Sequence, residues 1–182
     1  MGLFKKNTQQ LSERQQLESR YNSARINILW VLIFTIVNIV LLLAGKYTYF
    51  VFSAFIPYVL MVYGMDVTGK MPPDYYELDM RMYDFADPSI LTTVGVIVAA
   101  ICGLYLLCWL LSKNGKVGWL IVAMVMFVLD TIFMFSNGIP TDSVLDVVFH
   151  IWVIVSFGMG IYAHFKLKKL PPEAPTGPDI VE

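Results

Sequence analysis

YTYFVFSAFIPYVLMVYG, residues 47–64, decides how many times this chain crosses a membrane. The stretch is apolar and 18 residues long, so it reaches the lower edge of what a bilayer span requires. It also carries Pro57 near its middle and Tyr47, Tyr49, Tyr58 and Tyr63, the residue type favoured at a membrane–water interface. Proline removes a backbone donor, which a re-entrant or interfacial segment tolerates where protein or water satisfies the freed carbonyl. The competing reading is an ordinary crossing with a proline kink.

Four other blocks, residues 26–44, 91–111, 117–135 and 144–165, are each long enough for one crossing and too short for two. Lys and Arg concentrate on the cytoplasmic side of short loops, so their distribution tests the two readings of 47–64. If all five blocks cross with the N-terminus inside, seven Lys and Arg lie inside and six outside, which is no bias. If 47–64 does not cross, ten lie inside and only Lys46, Lys70 and Arg81 outside. The second arrangement also places Asp66, Asp74, Glu77, Asp79, Asp84 and Asp87 outside. The expected fold is therefore all-α: an integral membrane four-helix bundle with an additional re-entrant or interfacial segment, five spans being the alternative.

Composition agrees with a lipid environment, because 57% of the 182 residues are hydrophobic and 15% charged, against roughly 45–50% and 25% in soluble domains. The bilayer is the first partner. Net charge of −1 argues against nucleic acid. Residues 1–25 are rich in helix formers and are expected to form a cytoplasmic helix leading into the first span, which is read as retained rather than cleaved. Residues 65–90 form an acidic extracytoplasmic loop, and residues 166–182 a basic, then Pro-rich, disordered tail. Cys102 and Cys108, six apart, match no metal or redox spacing and read as buried thiols. Gly95, Ala99 and Gly103 in the third block, and Ser156 and Gly160 in the last, recur at a spacing of four and predict close helix packing.

Ionisable residues in a span are costly and usually face a bundle interior or a water-filled cavity. Asp130 lies six residues before the outer end of its helix, His150 six after the outer start of the next, and Asn38 six before the outer end of the first. All three therefore sit about 9 Å deep. Asp146 precedes His150 by one turn on the same face, and Asn27, Thr35 and Asn38 form one stripe on the first helix. With Thr92 and Thr93 on the third, four helices bring polar groups to the outer third of the bundle. Asn38, Asp130, Asp146 and His150 are thus candidate ligand-binding residues of an outward-facing cavity. Structural roles compete with this: Asp146 in the headgroup region at a helix start, and His150 as glue between helices. No metal site and no cofactor is expected, and no nucleophile, metalloprotease or phosphate-loop motif supports an enzyme.

Residues 24–64, an Arg-Ile-Asn entry, a span containing Asn38 and then TYFVFSAFIPY, resemble the front of small multi-pass membrane proteins of unassigned function from clostridial-type Gram-positive bacteria. The resemblance implies a bacterial cytoplasmic membrane and no activity. Three function classes follow from the residues, in order: binding or transport of a small polar or cationic ligand; a non-catalytic interaction subunit, docked to another membrane protein or to a second copy; and an enzyme using Asp130 and His150.

Overall fold

The computed structural model describes residues 12–46, 49–72, 75–76, 84–136 and 144–171. The first eleven residues of the expected N-terminal helix, much of the acidic loop, the 137–143 connection and the Pro-rich tail lie outside the described residues. Within them the protein is all-helical: α1 Glu13–Leu43, α2 Phe55–Val67, α3 Ser89–Leu111, α4 Val117–Ser136 and α5 Val144–Leu167, with a 3-10 turn, Lys113–Gly115, between α3 and α4. All but α2 are long and apolar enough to cross a membrane.

Helix ends are written in local chemistry. Ser12 opens α1 with a capping box, its hydroxyl accepting from the Gln15 amide while the Gln15 side chain accepts from the Ser12 amide. α1 and α2 stop in the same way. Gly45 and Gly69 follow their C-caps in the left-handed region, with φ of 70° and 67°. The next residues, Lys46 and Lys70, donate back to Leu41 and Met65, each at 2.8 Å. This is the Schellman arrangement, and glycine adopts it without the Cβ penalty. At the start of α3 the Asp87 carboxylate accepts from the Ser89 amide at 2.8 Å, and the Ser89 hydroxyl and amide together hold this exposed acid below its ordinary range.

α1, α3, α4 and α5 alternate in direction, so their ends gather in two groups. One group joins the start of α1, the 3-10 turn and the end of α5. There Tyr21 donates to the Ser112 carbonyl at 2.7 Å, Arg14 to the Pro171 carbonyl at 2.7 Å, and Lys166 pairs with Glu13 at 2.6 Å. The Glu13 contact raises the Lys166 pKa, but both groups are exposed, so solvent screening leaves the pair little weight in stability. This end carries Arg14, Arg20, Arg25, Lys113, Lys116, Lys166, Lys168 and Lys169 against Glu13 and Glu18, and is called the basic end below.

Residues 49–64 fold back into the bundle rather than forming a membrane-length helix. After α1 the chain turns at Gly45 and runs back beside α1 as non-helical backbone through residues 49–54; α2 then carries it out again. With 13 residues, α2 spans about 20 Å, well short of a bilayer core of about 30 Å. Its far half joins Leu42 of α1 and Val94 and Val98 of α3 in one apolar cluster with Met61 and Met65, so both ends of the excursion lie at the end opposite the basic one. Pro57 is the third residue of α2 rather than a kink inside a span, and in a first turn its missing N–H costs nothing. Single cysteines replacing Lys46 and Lys70, on a background without Cys102 and Cys108, should label from one face of the membrane, and one replacing Lys113 from the other. Labelling of Lys46→Cys and Lys70→Cys from opposite faces would mean that residues 47–64 cross.

The small-residue stripes divide. On α5, Ser156 accepts from the Asn27 side chain at 2.6 Å, and a Cβ placed on Gly160 would stand 2.4 Å from the Ala24 Cβ, so α1 and α5 approach closely there. On α3 the expectation of a packed seam is corrected. A Cβ on Gly95 or Gly103 meets nothing within 4 Å, and Ala99 is exposed. The buried face of α3 is instead Val94, Val98, Tyr105 and Cys108.

Candidate functional site

A helix that begins inside a bundle has four amide groups with no partner of their own, and in a membrane water does not supply one. At the start of α2 all four are accounted for. The Ala54 amide donates to the Thr35 hydroxyl at 2.8 Å, the Phe55 amide to Asp130 Oδ2 at 2.8 Å and the Ile56 amide to Asp130 Oδ1 at 2.8 Å; Pro57 has no N–H. Ala54 has no side chain that could cap, so α4 supplies the cap through Asp130. The carboxylate also faces the positive end of the α2 dipole.

Asn38 holds the non-helical segment that leads into this helix. Its Oδ1 accepts from the Phe50 amide at 2.8 Å, and its Nδ2 donates to the Phe50 carbonyl at 2.8 Å and to Ser53 Oγ at 2.9 Å. The amide side chain thereby pairs with Phe50 as a neighbouring backbone would. Phe52 takes a φ of 78°, unusual for a residue with a Cβ, and its ring is packed against Phe149 and Trp152. Ser53 then donates to the Tyr49 hydroxyl at 2.9 Å, and that hydroxyl lies 3.4 Å from Asp146 Oδ2.

His150 completes the set. Its Nδ1 lies 2.9 Å from the Asp146 carbonyl and 3.4 Å from Asp146 Oδ1, while Nε2 lies 3.5 Å from Asp130 Oδ2. Nδ1–H donating to the carbonyl leaves Nε2 to face the Asp130 carboxylate, an arrangement attractive only with a proton there as well. The imidazole stacks on Phe127 with centroids 4.9 Å apart.

The four residues singled out in the sequence are therefore joined in one network, and they are sealed: Asn38 and His150 are 0% exposed, Asp130 2% and Asp146 4%. The adjoining cavity, about 320 Å³ between α1 and α5, is lined by Asn27, Trp30, Phe34, Phe52, Trp152 and Val153, and by none of the four. Thr92 and Thr93 are exposed and stay outside the network, Thr93 bonding back to the Ser89 carbonyl. Asn27 turns to Ser156 instead of joining Asn38. Tyr49, Ser53 and the amides of residues 54–56 are members that the sequence did not reveal; Pro57, as a marker of a helical first turn, was the available signal for the last. Among the described residues no three His, Cys, Asp or Glu side chains converge as a metal cage. Comparison with protein-family models, with curated proteins and with solved structures finds no match, so the reading of the site rests on its own chemistry.

Proposed function

We propose that the protein binds a small cation, a proton or a monovalent ion, at the Asp130–His150–Asp146 set, and that it belongs to the binding or transport class of multi-pass membrane proteins. Asp146 carries this reading. Its carboxylate is 4% exposed, yet among the described residues Oδ1 accepts no hydrogen bond and meets only His150 Nδ1 at 3.4 Å, and Oδ2 has only the Tyr49 hydroxyl at 3.4 Å. A buried carboxylate ordinarily accepts several bonds or pairs with a charge. Two carboxylates share one imidazole, so the set keeps at least one negative charge in excess, and the α2 dipole offsets that of Asp130 only. Entry runs from the end opposite the basic one and requires the 49–54 turn to move. By the positive-inside rule the basic end faces the cytoplasm, in the bacterial cytoplasmic membrane that the resemblance implies.

The experiment is thermal unfolding in detergent at constant ionic strength, in lithium, sodium, potassium and choline chlorides and across pH 5–9. An ion present at 100 times its dissociation constant adds about 2.7 kcal/mol to the stability. Wild type should melt higher in one alkali salt than in choline, or change with pH where Asp146→Asn does not. Equal melting of wild type and Asp146→Asn under every condition would overturn the reading.

A second reading, the interaction subunit, is favoured by the open face of α3. A groove of about 380 Å³ runs beside Gly95 and Ala99, lined also by Ile36, Val40, Met61 and Cys102, and small residues there permit a further helix to approach closely.

A further inference from the structure

We infer that the basic end of the bundle holds a binding site for a phosphate group, presented by an anionic lipid headgroup or by a free phosphate. A cavity of about 390 Å³ opens there between the start of α1, the α3–α4 turn and the end of α5, at the opposite end from the Asp130 network. Arg25, Lys113, His164, Asn22 and Asn114 line it, with Glu18 as the one acid among the described residues. Its size lies in the range of ordinary ligand sites.

Arg25 is fixed in place before any ligand arrives. Nε donates to Ser112 Oγ at 3.1 Å, one terminal nitrogen to Asn22 Oδ1 at 3.3 Å and the other to the Trp109 carbonyl at 3.3 Å. All three acceptors are neutral oxygens, so the guanidinium keeps its full charge and two of its five N–H groups. A planar fork held in one orientation suits the oxygens of a phosphate. Lys113 forms no ion pair among the described residues and adds a second charge.

His164 supplies the independent sign of a ligand. The residue is 6% exposed and lines the cavity, its ring lies 5.6 Å from that of Tyr21, and its Nε2 is buried with no hydrogen-bond partner among the described residues. A buried polar atom without a partner is costly, and a small turn of the His164 ring would bring its Nε2 to a bound group in the cavity. Gly115 keeps the opposite wall low: a Cβ there would stand 3.5 Å from the imidazole. Arg25 directly precedes the apolar block of α1 and Lys113 follows that of α3, which places the cavity at the depth of headgroups. Basic pockets between helices at that level are built to take phospholipid headgroups.

The test uses the full chain in detergent, measuring retention of phosphatidylglycerol and phosphatidylcholine by native mass spectrometry, and binding of inorganic phosphate by calorimetry. Phosphatidylglycerol should be retained about tenfold better than phosphatidylcholine, and Arg25→Gln should remove that preference. Arg25 also braces Ser112, so Lys113→Gln, which breaks no side-chain hydrogen bond among the described residues, provides the second variant and should weaken retention several-fold. Phosphate binding that competes with the lipid would assign the site to free phosphate as well, and lipid retention unaffected by phosphate would assign it to the headgroup. If neither phosphate nor phosphatidylglycerol binds, or if both variants bind like the wild type, the site does not exist.

Discussion

Asp130→Ala should cost the bundle about 3–5 kcal/mol, and the Phe55 and Ile56 amides should lose their protection from hydrogen exchange. The side chain accepts two backbone bonds at 2.8 Å, and its removal leaves both donors buried with no water to replace it. A hydrogen bond to a charged group is worth about 1.5–3 kcal/mol, which sets the size of the loss. His150→Gln should cost less, about 1–2 kcal/mol, because its Nε2 meets Asp130 only at 3.5 Å while its Nδ1 bond is made within its own helix. Equal depth of the two residues in sequence suggests a pair whose members contribute alike. The geometry replaces that with an asymmetric arrangement in which the carboxylate serves the re-entrant helix first and the imidazole second. Unfolding in detergent with graded denaturant would measure both losses. Equal costs for the two substitutions, or unchanged exchange at residues 55–56 in Asp130→Ala, would show that α2 does not depend on this cap.

What the sequence conveyed was set by lipid. A bilayer demands long apolar blocks and penalises ionisable groups, so four helices long enough to cross, and the common level of Asn38, Asp130 and His150, could be read from block lengths and helical rise. The Lys and Arg distribution favours a re-entrant or interfacial reading of 47–64, and residues 49–67 turn into the bundle and back out at one end of it. The reason for the polar residues was not legible. Asn38, Thr35 and Asp130 are there to bind main-chain groups of residues 50–56, and main-chain groups carry no signature in sequence when the backbone is neither helix nor strand. The α3 stripe failed for another reason. Gly95, Ala99 and Gly103 mark a face on which a helix can approach, but not whether this chain provides that helix. One step around the axis, Val94, Val98, Tyr105 and Cys108 bury more apolar surface, and they took the bundle-facing side.

The two stripes can be set against each other in one experiment. Gly160→Val should lower stability by about 3 kcal/mol, near the upper end for overpacking, since even its Cβ would lie 2.4 Å from the Ala24 Cβ and 3.3 Å from Leu120. Neither neighbour can yield easily: Ala24 is held by the α1 backbone, and Leu120 is 0% exposed. Ala99→Leu, which adds the same three carbons, should leave the melting temperature of the monomer in detergent nearly unchanged, because Ala99 is exposed beside an open groove. Gly160→Ala is the finer probe. It should cost about 1–2 kcal/mol alone, and Ala24→Gly in the same chain should recover much of that, since the second change removes the atom that the first one strikes. Additive losses in the double variant would mean that α1 and α5 are not in backbone contact at this level. A large loss from Ala99→Leu in the monomer would mean that the α3 face is buried within the chain after all, and the groove beside it could not then receive a partner helix.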